Sequence, residues 1–360
     1  MPKRKEKLPE GFSVYLDFVR VMAALMVFIH HMQGPHFLGA IQSALKLGPD
    51  AVAIFFVLSG YVIAYVTDHH EKDARTYILH RFARIMPMAV TALLLALVLD
   101  PIAKGISHFD YLKENATTVL SSLFFLNHAW WNNIYAMSAR PYWSLDYEVW
   151  DYALFGVCIF AQGRLRFLLA GAILLLLGPK FLLMLPQWLL GVGVYRLSQR
   201  LRPSQAAARL MAVLPVLLYI ETKCFRPHLL TQFYMYEPLK EWSLVPFQPS
   251  KFWIWHLMLA PMVAVHLFGM RHLDLKILAA APWAGLIKKA ATYTFSLYLF
   301  HLTLFRFFRE FIPKGGVLYY LLQYVLTLAG IVVLAHYTEH RKVQIREFLR
   351  RRFPTVFARR

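Results

Sequence analysis

Cysteine and acidic residues are the two scarce components of this 360-residue sequence. Its two cysteines, Cys158 and Cys224, cannot form a disulfide framework and lie in no metal-binding spacing, which excludes a disulfide-built domain and a cysteine-based metal site. Only 20 aspartates and glutamates accompany 39 lysines and arginines, and the formal net charge is +19 at pH 7. We also expect no cleaved signal peptide, because the first apolar run is too long and no small-residue cleavage site closes it.

Apolar residues, in contrast, are abundant. They make up 58% of the chain, whereas soluble domains contain roughly 45–50%, and long apolar runs recur along the whole length. This pattern predicts an all-α polytopic membrane protein. We predict about ten transmembrane helices, at residues 13–34, 50–67, 83–103, 144–162, 166–182, 186–199, 207–222, 251–269, 290–311 and 317–338. Since proline interrupts helices, Pro179 and Pro186 predict a tight hairpin with an extracytoplasmic tip near Lys180.

Lysine and arginine collect on one side of these ten spans. The residues on that side are Lys3, Arg4, Lys5, Lys7, Lys72, Arg75, Arg81, Arg84, Arg164, Arg166, Arg196, Arg200, Arg202, Arg209, Arg271, Lys276, Lys288, Lys289, Arg341, Lys342, Arg346, Arg350, Arg351, Arg352, Arg359 and Arg360. Because cytoplasmic connections carry an excess of such residues, both termini are predicted to be cytoplasmic. The positive charge then reflects topology and attraction to anionic lipid headgroups rather than nucleic-acid binding.

This topology divides the chain into an integral membrane domain, residues 1–340, and a basic cytoplasmic tail, residues 341–360. It also places two long segments outside the cytoplasm, at about residues 104–143 and 223–250. Both contain aromatic stretches, at residues 124–135 and 233–247. Such stretches are typical of an interfacial aromatic belt, or they provide a platform on which the apolar faces of sugar rings stack.

The first predicted span carries ionisable residues at membrane depth, which is costly and by default indicates function. Arg20 and His31 are eleven residues apart. In a helix their side chains then differ in direction by only about 20°, so they share one face, and they lie roughly 16 Å apart along the helix axis. The neighbouring His30 points about 100° away from His31. The structural alternative is an arginine that extends to the interface and a hydrogen-bonded core histidine.

Further polar residues recur in the later spans. Ser59 and Gly60 fit close helix packing. Arg81 and Arg84 share a helix face at the predicted cytoplasmic end, where they either anchor the helix or clamp a phosphate. In the fourth span, Asp146 can serve as a helix-terminal partner, whereas Glu148 lies at a depth that requires a partner, which we expect to be His31.

The ninth span adds His301, which is either a satisfied core histidine or part of this ionisable set. Five segments in this order resemble the acyltransferase 3 family of integral membrane acyltransferases. They are the Arg20–His31 pair, FFVLSGY at residues 55–61, RFAR at 81–84, WSLDYE at 143–148 and SLYLFH at 296–301. One departure is Ala53, since the family usually has an acidic residue at that place, and Asp50 is a possible substitute. The chain resembles the stand-alone form of the family, without the additional hydrolase-like domain of many relatives.

The resemblance implies transfer of an acyl group, usually acetyl, from cytoplasmic acyl-CoA to a hydroxyl of an extracytoplasmic carbohydrate or glycoside, in the bacterial inner membrane and without a metal. It implies His31 as the general base, with Glu148 and Arg20 as the other catalytic residues. Arg81 and Arg84 would bind the phosphates of acyl-CoA. Trp143, Asp146 and His301 are assigned to the substrate site.

Two other classes of protein fit part of the pattern. Buried histidine, glutamate and arginine on several spans also suit a proton-coupled transporter of a small solute or glycan precursor. A membrane scaffold leaves these ionisable residues without a role. The residues leave open whether the donor is acetyl-CoA or succinyl-CoA, which carbohydrate accepts the group, whether His31 is acylated on the way, and the oligomeric state.

Overall fold

The computed structural model describes residues 7–31, 47–106, 116–225, 253–313 and 315–354, without the side chain of Lys104. Within these ranges the chain forms helices and turns and no strand, which confirms the all-helical prediction. The helices are α1 (Glu10–His31), α2 (Leu47–His70), α3 (Ala74–Ile106), α4 (Ala116–Leu123), α5 (Trp143–Phe160), α6 (Gly163–Leu177), α7 (Pro179–Ser198), α8 (Gln205–Phe225), α9 (Trp253–Arg271), α10 (Lys276–Ala280), α11 (Ala284–Ala291), α12 (Thr294–Phe311), α13 (Gly316–Tyr337) and α14 (Lys342–Arg352). Two 3₁₀ turns, Arg140–Tyr142 and Glu339–Arg341, precede α5 and α14.

Six segments of the described chain are long and apolar enough to cross a membrane. They are α1, α2, α3 over Ala74–Ala103, α7, α9 and Gly316–Arg352, which begins with α13. The other four predicted spans coincide with α5, α6, α8 and α12, which are not among these six. The structure therefore supports an integral membrane protein, and the total of ten crossings stays a prediction.

The chain around Pro186 differs from the sequence prediction. α7 begins at Pro179 and continues through Pro186 without a break. Gly178 makes the turn instead, since its φ of 76° lies in the left-handed region that glycine adopts without strain. Pro179 takes the first turn of the helix, where the missing N–H has no helical partner anyway. The predicted helix break at Pro186 was therefore wrong. Lys180 is fully buried, and the extracytoplasmic position of the turn near it stays a prediction.

The helices form two compact units that alternate along the sequence. The first unit comprises residues 1–72 and 178–291, and the second comprises residues 73–177 and 292–360. In the first unit α2 packs against α7, α1 and α9, and α9 also packs against α8. In the second unit α12 packs against α13 and α3, while α5 packs against α3 and α6.

Small residues permit a very close approach of α2 and α7 in the first unit. A Cβ atom at Gly60 would lie 2.0 Å from the carbonyl oxygen of Trp188, and one at Gly191 would lie 2.0 Å from that of Val57. Trp188 Nε1 donates a hydrogen bond of 3.2 Å to Ser59 Oγ. The packing role expected for Ser59 and Gly60 is therefore confirmed.

The second unit begins with a capped helix. The backbone N–H of Thr76 donates to Asp73 Oδ1 at 2.8 Å, and the Thr76 hydroxyl donates to Oδ2 at 2.9 Å. The backbone hydrogen bond is the main cause that lowers the pKa of the Asp73 carboxyl. An aspartate at this position satisfies N–H groups at the start of α3 that have no helical partner, and so it fixes where the helix begins.

One predicted aromatic segment, at residues 124–135, is folded onto the second unit. The indole nitrogen of Trp130 donates to the Leu175 carbonyl at 2.8 Å, and that of Trp150 donates to the Phe125 carbonyl at 2.9 Å. Trp130 and Trp131 nevertheless remain about half exposed, at 46% and 51%. The segment at residues 233–247 lies outside the described residues, as do the basic residues predicted at positions 3–5, 359 and 360.

Candidate functional site

His31 ends α1, and a hydrogen bond within the same helix sets its tautomer. Its Nδ1 lies 3.0 Å from the carbonyl oxygen of Val27, one turn earlier. A carbonyl oxygen only accepts hydrogen bonds, so Nδ1 carries the proton of the neutral ring and Nε2 carries the lone pair. Arg20, on the same helix, is partly buried and lies 3.4 Å from the Asp17 carboxylate.

The ring of His30 lies between His31 and the start of α2. The two histidine rings meet edge to face, with their centroids 5.1 Å apart. A Cβ atom at Gly48 would lie 2.4 Å from the His30 ring, so glycine is required for this approach. His30 Nδ1 is buried and makes no hydrogen bond within the described residues.

A fully buried ion pair lies at the same end of the first unit. Lys223 Nζ is 2.5 Å from Asp50 Oδ2, and Tyr219 donates its hydroxyl to the same oxygen at 2.7 Å. Trp255 Nε1 donates to Asp50 Oδ1 at 2.7 Å. Ala53 packs against Trp255 one turn further along α2. Asp50 and Ala53 thus both contact Trp255, and the substitution of Asp50 for the acidic group missing at Ala53 stays a prediction.

In the second unit, aromatic side chains surround the predicted phosphate-binding arginines. The guanidinium of Arg81 is buried and lies 4.9 Å from the ring centre of Tyr77 and 5.6 Å from that of Tyr152. Arg84 lies 5.8 Å from the ring centre of Phe295. It interacts electrostatically with Tyr152, Glu148 and Glu339.

Glu148 lies in this cluster of the second unit. Its Oε1 accepts a short hydrogen bond from the Tyr152 hydroxyl. The neighbouring carboxyl of Asp151 is 1% exposed, and neither of its oxygens makes a hydrogen bond within the described residues. The structure therefore brings Arg81, Arg84 and Glu148 together around Tyr152. The predicted partnership of Glu148 with His31 joins residues of different units and stays a prediction.

Asp146 has a partner that the sequence interpretation missed. His128 Nδ1 donates to Asp146 Oδ2 at 2.9 Å, and both side chains are buried. Tyr147 stacks on the His128 ring at a centroid distance of 6.3 Å and meets the edge of Trp143 at 5.9 Å. The sequence signal was a histidine within the aromatic stretch at residues 124–135.

His301 is buried in α12, in the same unit. Its Nδ1 lies 2.8 Å from the Leu297 carbonyl oxygen and 3.0 Å from that of Tyr298. The Tyr298 hydroxyl in turn makes a hydrogen bond of 2.6 Å with Ser144. Because both carbonyls accept, Nδ1 is the protonated nitrogen of a neutral His301 ring. Among the described residues, no three histidine, cysteine or acidic side chains converge to hold a metal ion.

The comparisons with known proteins identify the family of the chain. The family model described as "Acyltransferase domain" matches residues 13–336. Acyltransferase MdmB of Streptomyces mycarofaciens is 32% identical over 170 residues, which is 43% of this chain and 40% of the relative. The match thus spans less than half of that relative's length, and no solved structure matches the chain. The family match includes all eight predicted site residues, and the chain belongs to the acyltransferase 3 family.

Proposed function

We propose that the protein transfers an acyl group, acetyl in the first instance, from cytoplasmic acyl-CoA to a hydroxyl of an extracytoplasmic carbohydrate or glycoside. The observation that carries the proposal is the hydrogen bond from His31 Nδ1 to the Val27 carbonyl. It leaves the Nε2 lone pair as the group that accepts a proton, as a general base requires. The family membership supplies the class of reaction.

The proposed reaction exchanges a thioester for an ester. His31 Nε2 takes the proton of the acceptor hydroxyl while the oxygen of that hydroxyl attacks the thioester carbonyl. A carbon–oxygen bond forms, the carbon–sulfur bond breaks, and the imidazolium returns the proton to the departing CoA thiolate. Glu148 stabilises the charged imidazole, as the acid does in a His–acid pair. Arg20 orients the thioester or holds a donor phosphate.

We place the proposed donor and acceptor sites in the second unit. In our proposal Arg81 and Arg84 bind the phosphates of acyl-CoA, because guanidinium groups form two-pronged hydrogen bonds with phosphate. Their packing against Tyr77, Tyr152 and Phe295 supports them as a preorganised pair. Trp143, Asp146 and His301 line the acceptor side, and the exposed Trp130 and Trp131 are suited to stacking against sugar rings.

We further propose ten membrane crossings, with both termini cytoplasmic, residues 1–340 as the membrane domain and residues 341–360 as a cytoplasmic tail. The protein would then reside in the bacterial inner membrane. The charge distribution within the first unit supports this orientation. His31 and the Asp50–Lys223 pair share one end of that unit, while its opposite end presents Arg202, Arg271 and Lys276 around a cavity of about 820 Å³.

Cysteine labelling tests the orientation. In a variant without Cys158 and Cys224, which are both exposed, an impermeant maleimide should label Asn132→Cys in intact spheroplasts. Asn132 is exposed in the aromatic segment of the second unit. Arg351→Cys should react only after lysis, since the tail is proposed to be cytoplasmic. If only Arg351→Cys were labelled in intact spheroplasts, the proposed orientation would be wrong and the opposite orientation would hold.

Substitution of Arg84 tests the donor site. Arg84→Ala is expected to weaken acetyl-CoA binding by about tenfold to a hundredfold, the effect of losing a charge-assisted contact of about 1.5–3 kcal/mol. Arg84→Lys should recover only part of the affinity, because an ammonium group lacks the two-pronged geometry. Arg166→Ala is the matched control, since Arg166 donates to the Ala161 carbonyl of its own connection. Equal affinities for acetyl-CoA in all variants would show that Arg84 does not bind the donor and only anchors its helix.

The proposed activity itself is tested with acetyl-CoA carrying a radioactive acetyl group. Purified protein in detergent should bind this donor and release labelled acetate slowly to water when no acceptor is present. Mass spectrometry of surface glycans from cells with and without the protein should then show glycans that differ by one acetyl group on a hydroxyl. A protein that neither binds acetyl-CoA nor changes any glycan, but moves protons with a solute, would be a transporter instead.

A further inference from the structure

The buried Asp50–Lys223 pair has a cost that packing alone does not explain. Both side chains are almost completely inaccessible, with side-chain exposures of 0% and 3%. Removing two charges from water costs several kcal/mol per ion, and neutral side chains of similar shape often give an equal or more stable protein. Such a pair is therefore weak evidence for stability, and a role for its charge should be considered.

The surroundings of Asp50 fix its carboxylate in orientation. Lys223 and Tyr219 of α8 donate to one oxygen, and Trp255 of α9 donates to the other. His256 Nε2 also lies 3.0 Å from the Pro49 carbonyl oxygen, which ties the start of α2 to α9. The negative charge is therefore held at a defined position.

The fixed charge lies beside the histidines that end α1. His30 interacts electrostatically with both members of the pair, and the interaction with Asp50 is the stronger of the two. The His30 ring lies against Gly48, two residues before Asp50, and touches the edge of the His31 ring. Asp50 is thus linked to His30 by an electrostatic interaction, and His30 is linked to His31 by a ring contact.

We propose that Asp50 is an electrostatic positioning residue, which acts through His30 to stabilise the positive charge that forms on the histidine pair during transfer. Lys223, Tyr219 and Trp255 hold the Asp50 carboxylate in place. The proposal rests on the proposed function, because it assigns Asp50 to the base of that reaction. It differs from a structural role in that the charge of Asp50, and not only its shape, is required.

The test replaces the charges and preserves the shapes. In the double variant Asp50→Asn, Lys223→Met, the amide oxygen can accept the hydrogen bond from Trp255, the amide NH2 group can donate to the hydroxyl oxygen of Tyr219, and no charge is left unpaired. We expect normal membrane insertion and thermal stability, unchanged affinity for acetyl-CoA, and turnover of acetyl-CoA lower by about tenfold to a hundredfold. Losses of this size follow when groups that orient a functional histidine are removed in metal sites.

Asp68→Asn is the matched control. Asp68 lies on the same helix, accepts a hydrogen bond from Tyr195 at 3.1 Å and pairs with Arg196 at 3.6 Å. It lies 18 residues after Asp50, or about 27 Å along the helix axis. Turnover by Asp68→Asn should equal that of the natural protein.

Two results separate the inference from the function on which it rests. Natural protein that does not turn over acetyl-CoA would reject the proposed function and this inference together. An active natural protein with an equally active double variant would reject the inference alone. If the double variant does not fold, Trp255→Phe removes one hydrogen bond to Asp50 and keeps an aromatic ring. It should lower turnover more than donor affinity, and normal turnover in this variant would also overturn the proposal.

Discussion

His31→Ala is expected to lower acyl transfer by about 10²–10⁴-fold, the contribution typical of a general base. The variant should still insert and fold, because His31 lies at the end of α1 and its Nδ1 bonds to a carbonyl of the same helix. Donor affinity should change much less than turnover, since the base acts on a charge that develops in the transition state. Acetyl-CoA binding and transfer are measured in the same detergent.

His30→Ala is the paired variant for this experiment. His30 adjoins His31 in sequence and is also partly buried, but its Nδ1 makes no hydrogen bond within the described residues. We expect a smaller loss of turnover, because His30 is proposed to link Asp50 electrostatically to His31 and not to accept the substrate proton. Full activity of His31→Ala would refute the assignment of the base, whatever the effect of His30→Ala.

The sequence predicted the parts of this protein that local chemistry determines. Apolar runs located a helix in each of the ten predicted spans, since length and hydropathy are properties of contiguous residues. Helical periodicity likewise related Arg20 to His31 within α1. The error at Pro186 has a local cause as well. Gly178 made the turn that proline was expected to make, and α7 continued through Pro186.

Contacts between distant segments were beyond sequence reasoning. The hydrogen bond from Trp255 to Asp50 joins residues 205 positions apart, and Tyr219 lies 169 positions from the same carboxylate. Nothing in the periodicity of α2, α8 or α9 relates these positions. The His128–Asp146 pair spans only 18 residues, yet a turn region separates the two. Sequence reasoning could identify a buried charge that needs a partner, but not the partner itself.

The structure also changes the expected surroundings of the second-unit arginines. Sequence reasoning placed Arg81 and Arg84 at one face of a helix, available to phosphate. In the structure Arg81 stacks between tyrosines, and Arg84 interacts with Glu148 and Glu339. In the proposed function, an incoming phosphate would therefore compete with these carboxylates for Arg84.

Gly191→Ala is expected to destabilise the protein by about 3 kcal/mol, at the upper end of the usual cost of overpacking a core. The added Cβ atom would lie 2.0 Å from the Val57 carbonyl oxygen and 2.8 Å from the Tyr61 nitrogen. Both are backbone atoms of α2, so no side-chain rotation can relieve the contact. Helices α2 and α7 must separate, and the interhelical hydrogen bond from Trp188 to Ser59 is then strained.

Gly193→Ala provides the control for this prediction, in the same helix and two residues away. A Cβ atom at Gly193 meets no heavy atom within 4 Å. Alanine is favoured over glycine in a helix by roughly 0.5–1 kcal/mol, so this variant should be equal to or slightly more stable than the natural protein. Thermal unfolding in one detergent compares the three proteins. Equal midpoints for Gly191→Ala and Gly193→Ala would show that α2 and α7 are not in backbone contact. A loss confined to Gly191→Ala would locate the close packing at this pair of helices.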